Sequence, residues 1–424
     1  MYGAQLIEAL GRLFPDTRAT DAEAQGARPL PAVCEDGGAA PSHIEFFGVG
    51  GAKMRAAGCD LIVDAEELSV VGITEILAHL PKIWGLYHKL ITEAERRRPD
   101  LALVIDSPAF NWRVAREMKR RGVPVVYYVC PQFWAWRQGR VRYLRKYVDK
   151  ALVIFPFEER FYRARGVNAE FVGHPLADLP RPRISRDQYA QEHGLRRDKQ
   201  WITLMPGSRR KEVRMNLGEM LDARERLGDD YEFLLPVAPT LDRRFIQELL
   251  FSRAGVRVRA RRAVEANRAP AEIHLVPDAL PALAHSRAAI VASGTATVEA
   301  AMMGTPFVMV YRVTPLTYLL GRWTVKVPHF AMVNLIAGEE VVPELVQGDF
   351  TAERVVGEIK KILPGGAPRE KMIAGLGRVK ALLGASAGPC APDRAAEAIF
   401  DFLRSRAAGD RSLAGCAPKR VTTF

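Results

Sequence analysis

The 424-residue chain lacks the sequence features that mark several classes of protein. Its five cysteines are scattered and form no C-x-x-C pair, which argues against a disulfide framework or a zinc site. No apolar run approaches the ~18 residues that a membrane-spanning helix needs. The first ten residues lack the basic and apolar regions of a signal peptide. We therefore expect a globular protein, for which a reducing cytosol is the simplest compartment.

Common catalytic signatures are also missing. The sequence contains no P-loop, no H-E-x-x-H pair and no G-x-S-x-G elbow. The D-x-D motif, a frequent carboxylate grip on a metal–nucleotide complex, is absent as well. We predict no metal site and no cofactor.

The charge balance is strongly basic. Lys and Arg total 61 and Asp and Glu total 49, so the formal net charge is +12. This excess favours an anionic partner, which could be a nucleic acid, an acidic lipid surface or a phosphorylated substrate. Charge alone does not choose among them.

Short apolar runs alternate with amphipathic stretches along most of the chain. The runs are residues 44–47, 101–105, 125–129, 152–155, 201–204, 233–237, 273–276 and 289–292. Their near-continuous apolar character is typical of strands buried on both faces, and the alternation predicts βαβ units around parallel sheets. We expect an α/β fold with domains at 1–183 and 184–390, then a C-terminal helix and basic tail at 391–424. Residues 17–42 are predicted to be a disordered insert, and the arginine-rich stretch 253–270 a solvated charged segment.

Two candidate sites follow predicted strands of the first domain. Asp106 comes directly after the run 101–105, where it either acts as a general base in a cleft or caps the next helix. Three aromatic residues, Phe133, Trp134 and Trp136, follow the run 125–129 and precede a basic stretch. Its members are Arg137, Arg140, Arg142, Arg145, Lys146 and Lys150. This arrangement fits nucleic acid, anionic lipid headgroups, or core aromatics beside a solvated helix.

Two further candidates lie in the second predicted domain. Pro206-Gly207-Ser208-Arg209 is a strand-to-helix turn, which is suited to phosphate or is an ordinary connection. A second such turn carries hydroxyls and an acidic residue that fit phosphate and ribose, or cap a helix. Its candidate residues are Ser293, Gly294, Thr295, Thr297 and Glu299.

An apolar stretch with basic flanks precedes these sites. Its members are Val70, Val71, Ile73, Ile76, Leu77, Leu80 and Trp84. Such a face either packs in the core or lies in a bilayer interface, where it can accept acyl chains.

Together these motifs resemble the lipid-A-disaccharide synthases, which are inverting UDP-sugar glycosyltransferases with two facing Rossmann-like domains (the GT-B fold). The matching stretches are residues 46–51, 70–75, 105–108, 131–137, 155–158, 172–175, 204–209, 292–299 and 332–338, in that order. The resemblance extends from residue 44 to about residue 347.

The resemblance implies transfer of 2,3-diacylglucosamine from its UDP derivative to 2,3-diacylglucosamine 1-phosphate. Asp106 matches the essential aspartate of the family, and Arg209 matches its essential arginine. The UDP site would include Ser208, Ser293, Gly294, Thr295, Thr297, Glu299 and Asn334. The apolar stretch would meet acyl chains, and the enzyme would lie peripherally on the anionic cytoplasmic surface of the inner membrane, with no nucleic-acid partner.

One departure from the family concerns the start of the chain. Family members open with a strand and a Gly-rich loop, whereas residues 1–10 match the helix that follows them. We therefore expect the sheet neighbours of this strand to lose pairing, and suspect a start codon placed too far downstream. Two rival hypotheses are another two-domain UDP-sugar enzyme (a glycosyltransferase or epimerase) and a basic nucleic-acid-binding protein.

Overall fold

The computed structural model describes residues 2–13, 44–68, 73–252, 273–314, 318, 327–384, 388–409 and 419–424. The chain packs as two units, one of Met1–Pro175 with Ala387–Phe424 and one of Leu176–Ser386. Each unit contains one parallel sheet with helices, so the predicted α/β class is confirmed. The predicted insert 17–42 and the arginine-rich stretch 253–270 lie outside the described residues.

The described strands are β1 Ile44–Gly50, β2 Cys59–Asp64, β3 Leu101–Ile105, β4 Val125–Tyr128, β5 Lys150–Val153, β6 Ala169–Phe171, β7 Gln200–Met205, β8 Tyr231–Pro236, β9 Ile273–Val276, β10 Ala288–Ala292, β11 Phe307–Tyr311, β12 Glu344–Val346 and β13 Lys419–Thr423. The described α-helices are α1 Tyr2–Leu13, α2 Ala52–Ala56, α3 Ala65–Leu68, α4 Ile73–Arg97, α5 Pro108–Arg120, α6 Val141–Tyr147, α7 Pro156–Arg163, α8 Arg186–His193, α9 Arg210–Leu227, α10 Arg243–Ser252, α11 Ala279–His285, α12 Thr295–Met303, α13 Met332–Ala337, α14 Ala352–Ile362, α15 Ala367–Leu382 and α16 Ala391–Gly409.

The first unit is built on a seven-stranded parallel sheet with the order β2-β1-β13-β3-β4-β5-β6. Residues of α4, α5 and α6 share one buried core with alternate strand residues such as Ala102 and Val104. Ile105 belongs to the other alternation, and a Cβ placed on Gly3 of α1 would lie 3.3 Å from its Cδ1. Because side chains alternate between the faces of a strand, α1 covers the face opposite to α4, α5 and α6. Helix α16 packs against α1, where Arg12 pairs with Asp393.

β13 corrects two sequence-based expectations. Residues 419–423 were predicted to belong to a basic tail, yet they form a strand that pairs in parallel with both β1 and β3. The neighbouring strands therefore do not lose pairing, because β13 lies between them. Val421, Thr422 and Thr423 are completely buried. Beyond the strand, the backbone N–H of Ile105 donates to the Phe424 carbonyl at 2.9 Å.

The second unit contains a six-stranded parallel sheet with the order β12-β11-β10-β7-β8-β9. Its central strands β7 and β10 are buried almost throughout, as their apolar runs predict. β7 leads into α9 and β10 into α12, so the two predicted phosphate turns follow adjacent strands. Since the carboxyl ends of parallel strands lie at one edge of a sheet, this topology brings the two turns together.

Candidate active site

Asp106 lies in a backbone bend directly after β3. Both Asp106 and Ser107 adopt left-handed backbone angles, with φ values of +49° and +42°. Two consecutive non-glycine residues in this region store conformational strain, which is typical of functional sites. Ser107, and not Asp106, is the N-cap residue of α5, and it makes no side-chain capping bond. The structure therefore does not support helix capping as the role of Asp106.

Two buried side chains hold this bend. The Asn111 amide donates hydrogen bonds of 2.8 Å to the carbonyls of Ile105 and Asp106. The Tyr127 hydroxyl donates a third bond, of 2.7 Å, to the Asp106 carbonyl. Burial raises the pKa of Tyr127 well above its usual value, so the phenol keeps its proton. The backbone of Asp106 is thus fixed while its side chain is exposed.

The aromatic segment after β4 divides between the core and the surface. Phe133 belongs to the buried core, and Trp134 donates a 2.8 Å hydrogen bond from Nε1 to the buried Glu158. Burial raises the pKa of Glu158 to about 7. Trp136 is 43% exposed, with the Arg137 guanidinium 4.5 Å from its ring centroid. The core interpretation therefore fits Phe133 and Trp134 but not Trp136.

The second unit has a pocket of about 220 Å³ at the carboxyl ends of its central strands. Its lining residues are Arg209, Lys211, Glu212, Met215, Asn216, Ala292, Ser293, Tyr311, Arg312 and Val313. Three of these are cationic and one is acidic, which suits an anionic ligand such as a diphosphate. Arg209 and Ser293 are the two predicted residues that line this pocket.

Glu212 changes the interpretation of the Gly-containing turn. Its carboxylate accepts hydrogen bonds from the backbone N–H groups of Ser208 and Arg209, at 3.2 and 3.3 Å. The N–H groups predicted for phosphate thus already serve an internal carboxylate. The Arg209 side chain, which is 82% exposed, also pairs with Glu212 at 3.1 Å. A diphosphate would therefore meet the side chain of Arg209 before it met these backbone donors.

The other predicted UDP-site residues differ in accessibility. Gly294 and Thr295 are exposed, whereas Thr297 is buried and donates to the Gly294 carbonyl at 2.8 Å. Burial raises the pKa of Glu299.

Asn334 is completely buried and fully engaged. Its amide nitrogen donates hydrogen bonds to the Val342 carbonyl and the Glu344 carboxylate. Its amide oxygen accepts hydrogen bonds from the backbone N–H groups of Val341 and Val342. A direct contact between Asn334 and UDP would require one of these bonds to break.

The predicted apolar patch is only partly described. Val70 and Val71 lie outside the described residues. Ile73, Ile76, Leu77 and Leu80 fall on α4, although the structure does not describe their side chains. Trp84 is 56% exposed on the same helix. No helix among the described residues has the length and apolarity to cross a membrane.

Sequence reasoning missed Tyr127, Tyr311 and Arg312. Tyr311 ends β11 and Arg312 follows it, beside β10, the strand after which Ser293 comes. The rule that ligands bind beyond the carboxyl ends of parallel strands could have found both, had β11 been predicted. Tyr127 carries no such signal, because its role depends on the pairing of β3 with β4.

Solved structures with a similar fold include glycosyltransferases. The calicheamicin glycosyltransferase CalG4 matches with a TM-score of 0.53 and 16% identity, covering 96% of this chain and 95% of that one. The glycotransferase of kitacinnamycin matches with a TM-score of 0.54 and 13% identity, covering 86% and 100%. These likenesses define the fold class, the two-domain GT-B architecture of glycosyltransferases.

Sequence similarity identifies the family. The family model for lipid-A-disaccharide synthetase matches residues 22–383. The lipid-A-disaccharide synthase of Koribacter versatilis is 47% identical over 96% of each chain, and that of Myxococcus xanthus is 42% identical over 85% of this chain and 90% of its own. The chain belongs to the lipid-A-disaccharide synthetase family. The predicted glycosyltransferase of lipid A biosynthesis is thereby confirmed, with a UDP-sugar and a phosphosugar lipid as its classes of substrate.

Proposed function

We propose that this chain transfers 2,3-diacylglucosamine from UDP-2,3-diacylglucosamine to the 6-hydroxyl of 2,3-diacylglucosamine 1-phosphate. The products are the β-1,6-linked disaccharide 1-phosphate and UDP. The bond from the sugar anomeric carbon to the UDP oxygen breaks as the bond to the acceptor oxygen forms. The observation that carries the assignment to this site is the fixed, strained bend that presents the exposed carboxylate of Asp106.

In this mechanism Asp106 is the general base. It takes the proton of the acceptor hydroxyl as the oxygen attacks. Asn111 and Tyr127 hold its backbone, so the carboxylate is positioned before the substrate arrives. No described residue donates a hydrogen bond to this carboxylate, which leaves its oxygens available to the substrate.

Arg209 is the electrostatic partner of the leaving group. As UDP departs, negative charge grows on its diphosphate, and a planar guanidinium can stabilise two of its oxygens at once. Lys211 adds positive charge to the same pocket, and Ser293 lines it. Arg312 lines it as well, with its guanidinium paired to Glu219 at 3.2 Å. Ser208, Gly294, Thr295, Thr297, Glu299 and Asn334 complete the UDP site directly or by supporting its turns.

We further propose that the apolar stretch 70–84 meets the acyl chains of the substrates and the membrane surface. The exposed Trp84 indole supports this, because tryptophan favours the interface between headgroups and acyl chains. The enzyme then lies peripherally on the anionic cytoplasmic face of the inner membrane.

The test is to incubate the purified chain with both acylated substrates and to seek the disaccharide by mass spectrometry. Asp106→Asn keeps the shape of the side chain and removes the base, so we expect turnover to fall by about a thousandfold. Asp198→Asn, the same change at an exposed aspartate of the second unit, should keep full turnover.

Three results would contradict the proposal. If the chain bound UDP but formed no disaccharide from both substrates, the assigned reaction would be wrong. If it converted the UDP-sugar without an acceptor, the epimerase hypothesis would replace it. If Asp106→Asn turned over at the normal rate, Asp106 would not be the base.

A further inference from the structure

A cluster of basic residues without acidic partners lies on the first unit. The residues are Arg137, Arg140, Arg142, Arg145 and Lys146, on α6 and the turn before it, and we call them the basic surface. Within the described parts of the chain, no carboxylate lies within 4.0 Å of their charged atoms. Nearby cations behave differently, since Lys119, Arg121 and Lys150 each pair with a carboxylate. The basic surface therefore keeps its charge available for an external anion.

Aromatic rings lie beneath most of these cations. Arg140 stands 4.7 Å from the ring centroid of Trp112, and Lys146 stands 5.3 Å from that of Tyr147. Trp112 in turn packs on Tyr143, with centroids 4.9 Å apart. An open groove of about 580 Å³ runs along α6 and is lined by Arg142, Tyr143, Arg145, Lys146 and Tyr147. Cationic heads with amphipathic rings suit the headgroup level of a membrane.

The basic surface lies on the same side of the first unit as the helix that carries Trp84. Helices α4, α5 and α6 all pack on one face of the seven-stranded sheet, so their outer surfaces point away from that face together. A chain of ring contacts also runs from the exposed Trp84 through Tyr87 to Phe110 on α5. The exposed Trp84 and the basic surface therefore lie on the same side of the first unit.

These observations favour a lipid surface over a nucleic acid. Single-stranded nucleic acid binds by stacking its bases on open aromatic faces. Here a guanidinium or ammonium group already stands over Trp112, Trp136, Tyr143 and Tyr147. One face of each of these rings is therefore covered by a cation, while Arg142, Arg145 and Lys146 are exposed to solvent.

We propose that the basic surface binds the phosphate groups of anionic phospholipids and holds this side of the first unit on the membrane. The inference rests on the membrane association proposed above and adds the residues that supply its electrostatic part. Each basic residue near an anionic bilayer strengthens binding by about fivefold.

The test compares two charge-matched double variants of the full chain in vesicle sedimentation. Arg142→Gln with Arg145→Gln removes two charges from the basic surface, one of which lies over an aromatic ring. Arg404→Gln with Arg406→Gln removes two exposed charges from α16, where Arg406 likewise lies over Phe402. We expect the first pair to weaken binding to phosphatidylglycerol-containing vesicles by about thirtyfold. The second pair should change it by less than about twofold, because α16 packs with α1 on the opposite face of the sheet.

The outcomes separate this inference from the proposed function. Equal binding by the wild type and the Arg142/Arg145 variant would overturn the inference and leave membrane association intact. Absence of wild-type binding to anionic vesicles would contradict membrane association itself. If the wild type bound phosphatidylcholine vesicles as tightly as phosphatidylglycerol-containing vesicles, the binding would not be electrostatic and the inference would be overturned. Tighter binding of RNA, lost in the same variant, would establish the nucleic-acid alternative.

Disaccharide formation in detergent micelles should be unchanged in both double variants. Loss of this activity in the Arg142/Arg145 variant would overturn a purely membrane-binding role.

Discussion

The phenolic hydroxyl of Tyr127 donates a 2.7 Å hydrogen bond to the backbone carbonyl of Asp106. Tyr127 is 1% exposed on β4, and Asp106 follows the adjacent strand β3. Sheet pairing thus places a buried donor from β4 against the strained backbone that Asn111 also holds. This bond links the core of the first unit to the placement of the proposed base.

Tyr127→Phe removes this donor and keeps the ring. A hydrogen bond of this kind contributes about 0.5–1.5 kcal/mol, so we expect kcat to fall roughly threefold to tenfold with KM nearly unchanged. Steady-state kinetics with both substrates measure the split. Tyr189→Phe is the matched control, because the Tyr189 hydroxyl is buried in the second unit and bonds to no described residue. An unchanged kcat in Tyr127→Phe would show that the Tyr127 hydroxyl is not needed to position Asp106.

Arg209→Lys tests the shape of the cation, because it keeps the charge and removes the planar pair of donors. We expect kcat to fall by about a hundredfold, since lysine cannot bind two diphosphate oxygens in the same way. The control is Arg214→Lys on α9, the helix that begins directly after Arg209, where the Arg214 guanidinium lies 5.3 Å from the Phe245 ring centroid. Equal rates for Arg209→Lys and the wild type would reduce Arg209 to a general source of positive charge.

Two buried groups of the first unit give opposite dependences of stability on pH. Burial raises the pKa of Glu158 from 4.5 to about 7, so its contribution to the free energy of unfolding declines as pH rises through that range. Burial lowers the pKa of His174 from 6.5 to about 4, so its contribution declines as pH falls through that range. Both side chains contact Phe155 or its backbone. The two effects offset each other where the ranges overlap.

Glu158→Gln should expose the His174 contribution. As pH rises from about 4.5 to about 6.5, the contributions of Glu158 and His174 to the wild-type free energy of unfolding should nearly cancel. In the variant only the His174 contribution remains, so its free energy of unfolding should rise by about 2 to 3 kcal/mol over the same range. Urea denaturation at several pH values in this range measures the slope of the free energy of unfolding against pH. A cost of the substitution that does not depend on pH leaves this slope unchanged. Glu159→Gln, one residue along α7, should keep the wild-type profile. Parallel profiles for Glu158→Gln and the wild type would show that Glu158 stays ionised in the fold.

Gly48→Ala should disrupt the pairing of β1 with β13. Gly48 has a φ of +143°, and a Cβ there would lie 1.9 Å from the Thr423 carbonyl oxygen. We expect a loss of more than about 2 kcal/mol in stability and faster hydrogen exchange at Val421 and Thr423. Gly122→Ala is the control, since Gly122 also has a positive φ but no atom within 4 Å of its would-be Cβ. Similar costs at both glycines would mean that β13 contributes little to the sheet.

Most of the fold could be predicted because buried parallel strands are apolar on both faces. The runs 101–105 and 273–276 coincide with β3 and β9. β13 could not be predicted in this way, because Lys419, Arg420 and two threonines resemble a solvated tail. It is a strand because the gap between β1 and β3 supplies partners on both sides, and Thr423 shares a buried 3.4 Å contact with the Cys59 thiol.

The residues of the candidate site also fall into two groups, those with a local sequence signal and those without one. The positions of Asp106 and Arg209 near strand ends were predictable because each comes shortly after a recognisable apolar run, and their proposed roles rest on the family motifs that they match. The supporting residues depend on contacts that no local pattern contains, such as Tyr127 beneath Asp106. Glu212 is the clearest example of a contact that the sequence does not predict. Its carboxylate accepts hydrogen bonds from the backbone N–H groups of Ser208 and Arg209, which the turn pattern predicts for phosphate.

The position of β13 has a consequence for how the chain folds during synthesis. Thr423 lies 376 positions after Phe47, its hydrogen-bonded neighbour, so every other described element leaves the ribosome before the gap beside β1 can close. Until then the edges of β1 and β3 stay open, as templates on which other chains can aggregate. The second unit, which is continuous in sequence, has no such delay. The first unit therefore completes its sheet only after the whole of the second unit has been synthesised.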